Sequence, residues 1–398
     1  MENKINPEQR IPPETVVTND SPFSYGAVSP PIYQSSLFTF DSIESMDQRF
    51  RGETSNPLYS RVDNPTVFEL EQKIAYLENG AVAKAFSSGM GAISNAVLSQ
   101  LKSGDRIVCV RNVYPDTYRL FLKMFPRFDI QTEFVDGTDL EAMEKALPGA
   151  RILYLESPTS IVFEQQNLTA MANLAKKYGV TSIIDNSWAT PIFQQPLDYG
   201  IDMVVHSASK YISGHSDTVA GIVIGNKEII QNMNDYIMPF LGAKLAPFEA
   251  WLLLRGLRTL PIRMKQHHKN GLSIAKKLIA HESVKNIFHP GFNENRFVAE
   301  KSGSLKGFSS LFSIELEKDI DVTMFCNHLK LFKLAVSWGG YESLVFPLEV
   351  GMRQEGSFVS SVDFGLSPQI VRLHIGLENI DDLESDLISA IEASRKNK

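Results

Sequence analysis

Short apolar segments rich in valine and isoleucine alternate with helical segments from about residue 66 onward. This alternation is typical of a mostly parallel sheet whose strands are buried on both faces and joined by crossover helices. We predict strands at Arg106–Val110, Ile130–Val135, Ile152–Glu156, Ser182–Asp185, Met203–Ser207 and Val219–Ile224. The helices predicted between them are Thr117–Phe125, Leu140–Leu147 and Leu168–Tyr178. Ligands of such a wound α/β domain bind beyond the carboxyl ends of the strands.

The same pattern divides the chain into three regions. Residues 1–65 are rich in Pro, Ser, Thr and Asn and are predicted to form an extended arm. Residues 66–255 are predicted to form the wound domain, and residues 256–398 a smaller α+β domain, reached through a helix-rich stretch that begins at Pro247. The elements predicted in the smaller domain are strands at Ser309–Glu315 and Val371–Ile375 and helices at Val322–Phe332 and Asp381–Ser394.

Charge and cysteine content narrow the classes of partner. The net charge of −7 is spread without a basic block, which argues against nucleic acid or an anionic membrane and favours a small molecule. Cys109 and Cys326 form no disulfide framework, as is typical of a reducing compartment. The polar N-terminus lacks the apolar stretch of a signal peptide, and no segment reaches the roughly 18 to 20 apolar residues of a membrane span. We therefore expect a cytoplasmic protein without a membrane partner.

The strongest chemical signal is Lys210, which follows a predicted buried strand among small hydroxyl residues. A lysine in such a place is easily desolvated, which lowers its pKa and leaves the amine nucleophilic enough to form a Schiff base with an aldehyde cofactor. The hydroxyl groups of Ser207 and Ser209 beside it are suited to a phosphate. A solvated surface lysine after a strand would give the same local pattern, so other segments must decide.

Two further segments suit the other parts of such a cofactor. Gly89 and Met90 stand where small residues lead into a predicted helix, whose free N–H groups and dipole attract an anion. Asp185 ends a predicted strand, where a carboxylate could keep a pyridine nitrogen protonated. An ordinary glycine turn and a capping aspartate are the alternatives.

Four more residues carry groups that fit a phosphate, a planar ring or a carboxylate. Tyr114 precedes a helix and could stack on a planar ring, although packing alone would also explain it. Tyr59 and Arg61, near the end of the arm, offer a phenol and a guanidinium suited to a phosphate. Arg372 lies inside a predicted apolar strand, where an unpaired charge is costly. We predict that it faces a cavity and binds a carboxylate, with a structural ion pair as the alternative.

Six segments, in this order and over nearly the whole chain, resemble the Cys/Met-metabolism family of pyridoxal 5′-phosphate (PLP) enzymes. This family includes cystathionine β-lyase, cystathionine γ-synthase, cystathionine γ-lyase and methionine γ-lyase. The matching segments are Y-S-R-x-x-N-P-T at Tyr59–Thr66, S-S-G-M at Ser87–Met90, E-S-P at Glu156–Pro158, D-N-S-W-A-T-P at Asp185–Pro191, S-A-S-K-Y-x-x-G-H-S-D at Ser207–Asp217 and V-R-L-H-I-G-L-E at Val371–Glu378.

The resemblance implies a fold-type-I, aminotransferase-like subunit with PLP as cofactor and no metal. Lys210 is then the Schiff-base lysine, Asp185 binds the pyridine nitrogen, Tyr114 stacks on the ring and Arg372 holds the α-carboxylate of an amino-acid substrate. The residues implied at the phosphate are Gly89, Met90, Ser207 and Ser209. In this family Tyr59 and Arg61 reach the phosphate site of a neighbouring subunit, which implies at least a homodimer and usually a tetramer.

The reaction type depends on the segment S-W-G-G-Y-E-S that begins at Ser337. This segment resembles bacterial cystathionine β-lyases, as does Ser160, and Val336 stands where many γ-synthases and γ-lyases have glutamate. We expect Ser160, Ser337 and Trp338 to contact the substrate. Val336 also resembles methionine γ-lyases, but Asp116 replaces the cysteine that some of those enzymes carry.

The resemblance therefore favours a carbon–sulfur β-lyase that cleaves cystathionine or cysteine conjugates to a thiol, pyruvate and ammonia. The first alternative is γ-elimination or γ-replacement, as in methionine γ-lyase, cystathionine γ-lyase and cystathionine γ-synthase. The second is a catalytically silent PLP-binding regulatory protein, against which the joint presence of Lys210, Asp185, Tyr114 and Arg372 argues.

Overall fold

A computed structural model of the protein describes residues 10–19, 23–292, 304–354 and 358–396. Its strands form two sheets, one of seven strands and one of five. The larger sheet contains β1 (Val82–Phe86), β2 (Arg106–Val110), β3 (Gln131–Val135), β4 (Ile152–Glu156), β5 (Thr181–Asp185), β6 (Met203–His206) and β7 (Gly221–Gly225). The smaller sheet contains β8 (Val284–Phe288), β9 (Leu311–Leu316), β10 (Lys333–Leu334), β11 (Leu344–Pro347) and β12 (Ile370–His374).

The larger sheet has the strand order β1-β7-β6-β5-β4-β2-β3. Strands β2 to β6 pair in parallel, and β7 runs antiparallel to both β6 and β1. The predicted mostly parallel sheet is therefore confirmed, and the six predicted strands agree with the structure to within two residues at each end. The sequence analysis did not assign β1 because this edge strand carries Lys84 between two alanines and lacks a run of large apolar side chains.

Helices cover the sheets and connect the strands. The α-helices of the described residues are Pro13–Thr18, Ile43–Phe50, Pro65–Leu77, Gly89–Leu98, Pro115–Arg119, Leu140–Ala146, Leu168–Tyr178, Thr190–Phe193, Lys227–Tyr236, Met238–Leu241, Pro247–Leu257, Leu260–Ile279, Val322–His328, Leu348–Met352, Ser360–Asp363 and Ile380–Ala393. Leu168–Tyr178 illustrates why such segments begin and end where they do. The side chain of Asn167 accepts a hydrogen bond from the N–H of Ala170, and Gly179 ends the helix in the left-handed conformation.

Two predicted helices have different limits in the structure. The segment predicted as Thr117–Phe125 is an α-helix at Pro115–Arg119, followed by a π-helical turn and a 3₁₀ turn. Pro126 explains the change, because it has no N–H to continue an α-helical hydrogen-bond pattern. The helix predicted to end at Phe332 ends at His328. The N–H groups of Lys330 and Leu331 donate to the carboxylate of Asp386 instead of continuing the helix.

The N-terminal arm is less extended than predicted, because it contains the helices Pro13–Thr18 and Ile43–Phe50. These helices are only six and eight residues long, which is too short for a clear periodic pattern in the sequence. The arm exposes several large apolar side chains: Tyr25, Val28, Leu37, Ile43 and Phe50. The arm therefore carries a concentration of exposed apolar groups within this subunit.

The two sheets share one continuous hydrophobic core. The indole N–H of Trp188, just after β5, donates to the carbonyl oxygen of Leu311 at the start of β9 over 2.9 Å. The predicted region boundary at residues 255 and 256 falls inside the helix Pro247–Leu257, and the boundary at 65 and 66 falls at the start of Pro65–Leu77. The division into three regions stays a prediction.

Two further observations concern the compartment. Cys109 and Cys326 are both buried, free thiols. Within the described ranges, no helix combines the length and the apolar character needed to cross a bilayer.

Gly221 on β7 provides a test of the packing between the sheet and the helix Gly89–Leu98. A methyl group at this position would lie 2.2 Å from the carbonyl oxygen of Ser88 and 2.7 Å from the Cβ atom of Ala92. We expect Gly221→Ala to lower the free energy of unfolding by about 1 to 3 kcal/mol, because the backbone must shift to admit the methyl group. Chemical denaturation followed by circular dichroism measures this loss.

Gly225→Ala is the matched control for this prediction, because it lies on the same strand. The atom nearest to its added methyl group, the carbonyl oxygen of Asp202, is 3.1 Å away. The loss of stability should therefore be smaller than for Gly221→Ala. Equal losses in the two variants would contradict the packing described for Gly221.

Candidate active site

The carboxyl ends of three parallel strands bring the chemically important residues together. Glu156 ends β4 and Asp185 ends β5, and the two residues are direct partners in the pairing of these strands. His206 ends the neighbouring strand β6, and Ser207 and Lys210 follow it. The candidate site therefore lies at the edge of the sheet where the sequence predicted a ligand.

Lys210 has the environment of a reactive amine. Its Nζ atom donates a hydrogen bond to Oγ of Ser337 over 2.8 Å and lies 5.4 Å from the centre of the Trp338 ring. Burial and the positive charge of Arg372 lower the pKa of Lys210 to about 8, against an opposing effect of Asp185. About a tenth of the lysine is therefore an unprotonated nucleophile at pH 7, far more than for an ordinary lysine.

Asp185 is a buried carboxylate held by its neighbour Ser187. Its Oδ1 atom accepts hydrogen bonds from the N–H of Ser187 over 2.9 Å and from the hydroxyl of Ser187 over 2.6 Å. The same hydroxyl oxygen accepts a hydrogen bond from the N–H of Ser207 over 2.6 Å. Burial raises the pKa of Asp185, while the bonds from Ser187 and the charges of His206 and Lys210 act against this rise. Ser187 thus joins the predicted ring-nitrogen partner to the predicted phosphate segment.

Gly89 and Met90 begin the helix Gly89–Leu98, as predicted, and Ser88 caps it by accepting a hydrogen bond from the N–H of Gly91. A methyl group on Gly89 would lie 2.8 Å from Oγ of Ser207. Only glycine therefore leaves room between the helix and Ser207. The first N–H groups of a helix have no partner within it, and they favour an anion together with the helix dipole.

The hydroxyl of Ser209 is less available to a phosphate than the sequence suggested, because it already has hydrogen-bond partners in the protein. Its hydroxyl oxygen accepts a hydrogen bond from the N–H of Ala220 over 2.9 Å, and the hydroxyl lies 3.2 Å from the carbonyl oxygen of the same residue. These contacts fix the turn after Lys210 to the start of β7. Contact of Ser209 with a phosphate stays a prediction.

Tyr114 is held at both its backbone and its hydroxyl. Its N–H donates to Oε2 of Glu156 over 2.8 Å, and its hydroxyl donates to Oδ2 of Asp116 over 3.0 Å. Burial and the neighbouring Asp116 raise the pKa of Tyr114 to about 12, against an opposing effect of Arg119 and Arg372. Part of the ring is exposed, so that one face is free to stack on a planar group.

Glu156 is a site residue to which the sequence analysis assigned no role. Besides the bond from Tyr114, its Oε1 atom accepts the hydroxyl hydrogen of Ser160 over 2.7 Å. Burial and the charge of Asp185 raise the pKa of Glu156 to about 8. Its position at the end of a buried parallel strand, like that of Asp185, was the signal that could have identified it. The hydroxyl hydrogen of Ser160 is already donated to Glu156. Contact of Ser160 with a substrate stays a prediction.

Arg372 lies on β12 and pairs with Phe346 of β11. Its guanidinium donates to the carbonyl oxygen of Val336 over 2.7 Å and lies 5.2 Å from the centre of the Phe346 ring. Burial lowers the pKa of Arg372 to about 10. Within the described part of the chain this guanidinium makes no ion pair with a carboxylate. The structural ion pair considered from the sequence is therefore not observed, and a donor remains for a carboxylate ligand.

Tyr59 and Arg61 lie on the N-terminal arm, far in sequence from the other candidate residues. Both are exposed on the arm, and the guanidinium of Arg61 lies 5.5 Å from the centre of the Tyr59 ring. Their contribution to a phosphate site stays a prediction that requires a second subunit.

The described groups fit PLP part by part. The narrow space at Gly89 and the first turn of its helix suit the phosphate, and the buried carboxylate of Asp185 suits the pyridine nitrogen. The partly unprotonated amine of Lys210 suits the aldehyde. This set of residues on a mostly parallel sheet with a smaller mixed sheet defines a fold-type-I PLP enzyme. The chain belongs to the Cys/Met metabolism PLP-dependent enzyme family, whose family model matches residues 14–392.

Two relatives are similar in sequence to this chain over most of their length. The chain is 37% identical over 372 residues to an L-methionine gamma-lyase of Fusobacterium nucleatum subsp. polymorphum, covering 92% of this chain and 94% of the relative. It is also 37% identical over 374 residues to the cystathionine gamma-lyase of Bacillus subtilis, covering 92% of this chain and 95% of the relative. Both relatives carry the name of a γ-lyase.

Solved structures have the same fold. Cystathionine gamma-lyase from Lactobacillus plantarum, complexed with L-serine, superposes with a TM-score of 0.88 at 34% identity, covering 96% of this chain and 99% of the other. A Campylobacter jejuni O-acetylhomoserine (thiol)-lyase structure, which contains N′-pyridoxyl-lysine-5′-monophosphate, gives a TM-score of 0.89 at 29% identity, covering 96% and 100%. The predicted family, fold class and cofactor are confirmed.

The low pKa of Lys210 predicts how covalent attachment of PLP depends on pH. Only an unprotonated amine attacks an aldehyde, so the rate of attachment to the apoprotein should rise with a midpoint near pH 8. Arg372→Gln should move this midpoint to higher pH, because the charge of Arg372 lowers the pKa of Lys210. Borohydride trapping at timed intervals, followed by mass spectrometry of the labelled peptide, measures the rate and the attached lysine.

Arg353→Gln is the control variant for this experiment. Arg353 is largely exposed and pairs with Glu349, so its loss should leave the midpoint unchanged. Attachment at a lysine other than Lys210, or the same midpoint in Arg372→Gln as in the unmodified protein, would overturn the assignment.

Proposed function

We propose that this PLP-dependent lyase cleaves the carbon–sulfur bond of methionine or cystathionine by γ-elimination, giving a thiol, 2-oxobutyrate and ammonia. The observation that carries this proposal is the 37% identity to γ-lyases over 92% of the chain. It replaces β-elimination, which the segment around Ser337 favoured in the sequence, as the preferred reaction. Both reactions need a base for the α-proton and a site for the α-carboxylate.

Bound PLP supplies an electron sink for the charge left when the α-proton is removed. The amine of Lys210, between Ser337 and Trp338, is the base for that proton. A γ-leaving group requires a second proton to be removed at Cβ, and the same amine could remove it after passing the first proton on to the bound cofactor. Arg372 binds the substrate α-carboxylate through guanidinium donors that face no carboxylate of the described residues.

Asp185 and Tyr114 hold the cofactor in this proposal. The carboxylate of Asp185 would bind the pyridine nitrogen and keep it protonated, and the ring of Tyr114 would stack on the pyridine. Glu156 supports both residues, since it accepts the N–H of Tyr114 and lies opposite Asp185 in the sheet. Gly89, Met90 and Ser207 would hold the phosphate.

β-Elimination of cystathionine or cysteine conjugates is the second candidate, with pyruvate as the keto acid. Val336 favours it, since this position lacks the acid that many γ-synthases and γ-lyases carry. The side chain of Val336 is 77% exposed in the single subunit, so it can border a substrate without making a specific polar contact. A catalytically silent regulatory protein is not favoured. Lys210 keeps a reactive amine, and the guanidinium of Arg372 has no carboxylate partner among the described residues.

The arm supports a shared site between two copies of the chain. Its exposed apolar side chains form a surface suited to a neighbouring subunit, and Tyr59 and Arg61 lie exposed on the same arm. We propose a homodimer in which each arm completes the phosphate site of the other subunit, with two dimers forming a tetramer. The two free buried thiols suit the cytoplasm as the place of action.

Product analysis tests the proposed reaction. Incubation of the holoenzyme with methionine or cystathionine should give 2-oxobutyrate as the main keto acid, identified by chromatography and mass spectrometry. Lys210→Ala is the control and should give almost no keto acid, because the base is lost. Pyruvate as the main product from cystathionine or cystine, with methionine unreacted, would establish β-elimination instead.

Mixed dimers test the shared site. Arg61→Ala and Lys210→Ala subunits, each nearly inactive alone, should regain about a quarter of the normal activity when equal amounts are refolded together. Random pairing makes half of the dimers mixed, and one of the two sites in each mixed dimer is intact. The matched control mixes Lys210→Ala with Asp185→Asn. Both of those residues belong to one chain, so neither site is restored. Equal activity of the two mixtures would place Arg61 and Lys210 in the site of a single chain.

A further inference from the structure

A chain of polar contacts runs from the hydroxyl of Tyr114 to the C-terminal region. The hydroxyl donates to Oδ2 of Asp116 over 3.0 Å. The other oxygen of Asp116 accepts from Nε and Nη2 of Arg119 over 3.1 and 2.6 Å. The remaining Nη1 of Arg119 donates to the side-chain oxygen of Gln354 over 3.0 Å. Asp116 is therefore fixed by a two-point contact while it accepts the phenol hydrogen.

A second contact ties the same short helix, Pro115–Arg119, to the C-terminal region. The hydroxyl of Tyr118 donates to Oδ2 of Asp363 over 2.9 Å. The rings of Phe134 and Phe364 pack against Tyr118, with ring centres 4.8 and 5.3 Å away. The helix therefore has an anchor that does not involve Asp116, whose two carboxylate oxygens contact Tyr114 and Arg119.

The charged groups around Tyr114 oppose each other. Arg119 on its own helix and Arg372 on β12 favour an ionised phenol, whereas Asp116 and burial favour the neutral form. Glu156 contacts the backbone N–H of Tyr114 and not its hydroxyl. If Asp116 lost its charge, the two guanidinium groups would act on the phenol with less opposition.

We propose that Asp116 is a positioning residue that keeps Tyr114 a neutral, oriented phenol and so leaves Arg372 free for the substrate carboxylate. This inference rests on the proposed role of Arg372 in substrate binding. An ionised Tyr114 would attract the guanidinium of Arg372 and compete with the carboxylate of the substrate. Tyr114 therefore serves as a ring and a hydrogen-bond donor over the pH range in which Lys210 acts.

The direct test measures the ionisation of Tyr114 in the holoenzyme. Fluorotyrosine is incorporated throughout the protein, and the Tyr114 resonance is the one missing from the ¹⁹F NMR spectrum of Tyr114→Phe. We expect Asp116→Asn to lower the pKa of Tyr114 by about 1, because burial, the larger cause of the raised pKa, remains in the variant. Asp116→Glu, which keeps a carboxylate, should restore much of the normal value. The side chain of Asp116 is 45% exposed, so these variants should fold.

Steady-state kinetics supply the second measurement, with whichever amino acid the holoenzyme cleaves. In Asp116→Asn, KM should rise several-fold at alkaline pH, following the ionisation of Tyr114, while kcat at neutral pH changes little. The NMR measurement needs no turnover, so failure of the proposed reaction and failure of this inference give different results.

Asp363→Asn is the matched control, because it removes the equivalent aspartate from Tyr118. It should change the titration of Tyr118 and leave both the Tyr114 resonance and the pH dependence of KM unchanged. The inference is overturned if Asp116→Asn leaves the pKa of Tyr114 unchanged. It is also overturned if Asp363→Asn shifts Tyr114 by the same amount, since the effect would then come from general loosening of the helix.

Discussion

Parallel pairing of β4, β5 and β6 decides where the charged groups of the site can lie. In this register Glu156 is opposite Asp185, so two carboxylates end side by side at one edge of the sheet, and the turn that carries Lys210 follows the next strand. A shift of one residue would turn these side chains to the other face of the sheet. The spacing of the reactive groups is therefore a property of backbone hydrogen bonds and does not depend on a flexible loop.

Burial then determines how these groups behave. It lowers the pKa of Lys210 to about 8 and raises that of Glu156 to about 8, because a low-dielectric environment disfavours either charge. Burial also raises the pKa of Asp185, but hydrogen bonds from Ser187 and the nearby positive charges limit this rise. The protonation of each group therefore depends on the others, and the site titrates as a set.

The sequence predicted the larger sheet well because its strands are continuous apolar runs, and it also predicted the position of Asp185 at a strand end. It did not predict the partners of these residues. Lys210 and Ser337 are 127 positions apart, and no local pattern indicates their hydrogen bond. The hydrogen bond from the N–H of Tyr114 to Glu156 was not predicted for the same reason, since the two residues lie on different segments. The sequence also could not decide between β- and γ-elimination, because the few side chains that bear on this choice occur with both reactions.

The hydrogen bond from Trp188 to Leu311 joins two sheets that already share one core. Opening a cleft between the sheets would break this buried bond and expose apolar surface from both sides. A hinge between rigid halves is therefore an unfavourable way for this subunit to admit an amino acid. Access and closure must instead come from smaller movements of surface segments, so the catalytic edge of the sheet keeps its shape while a substrate enters and a product leaves.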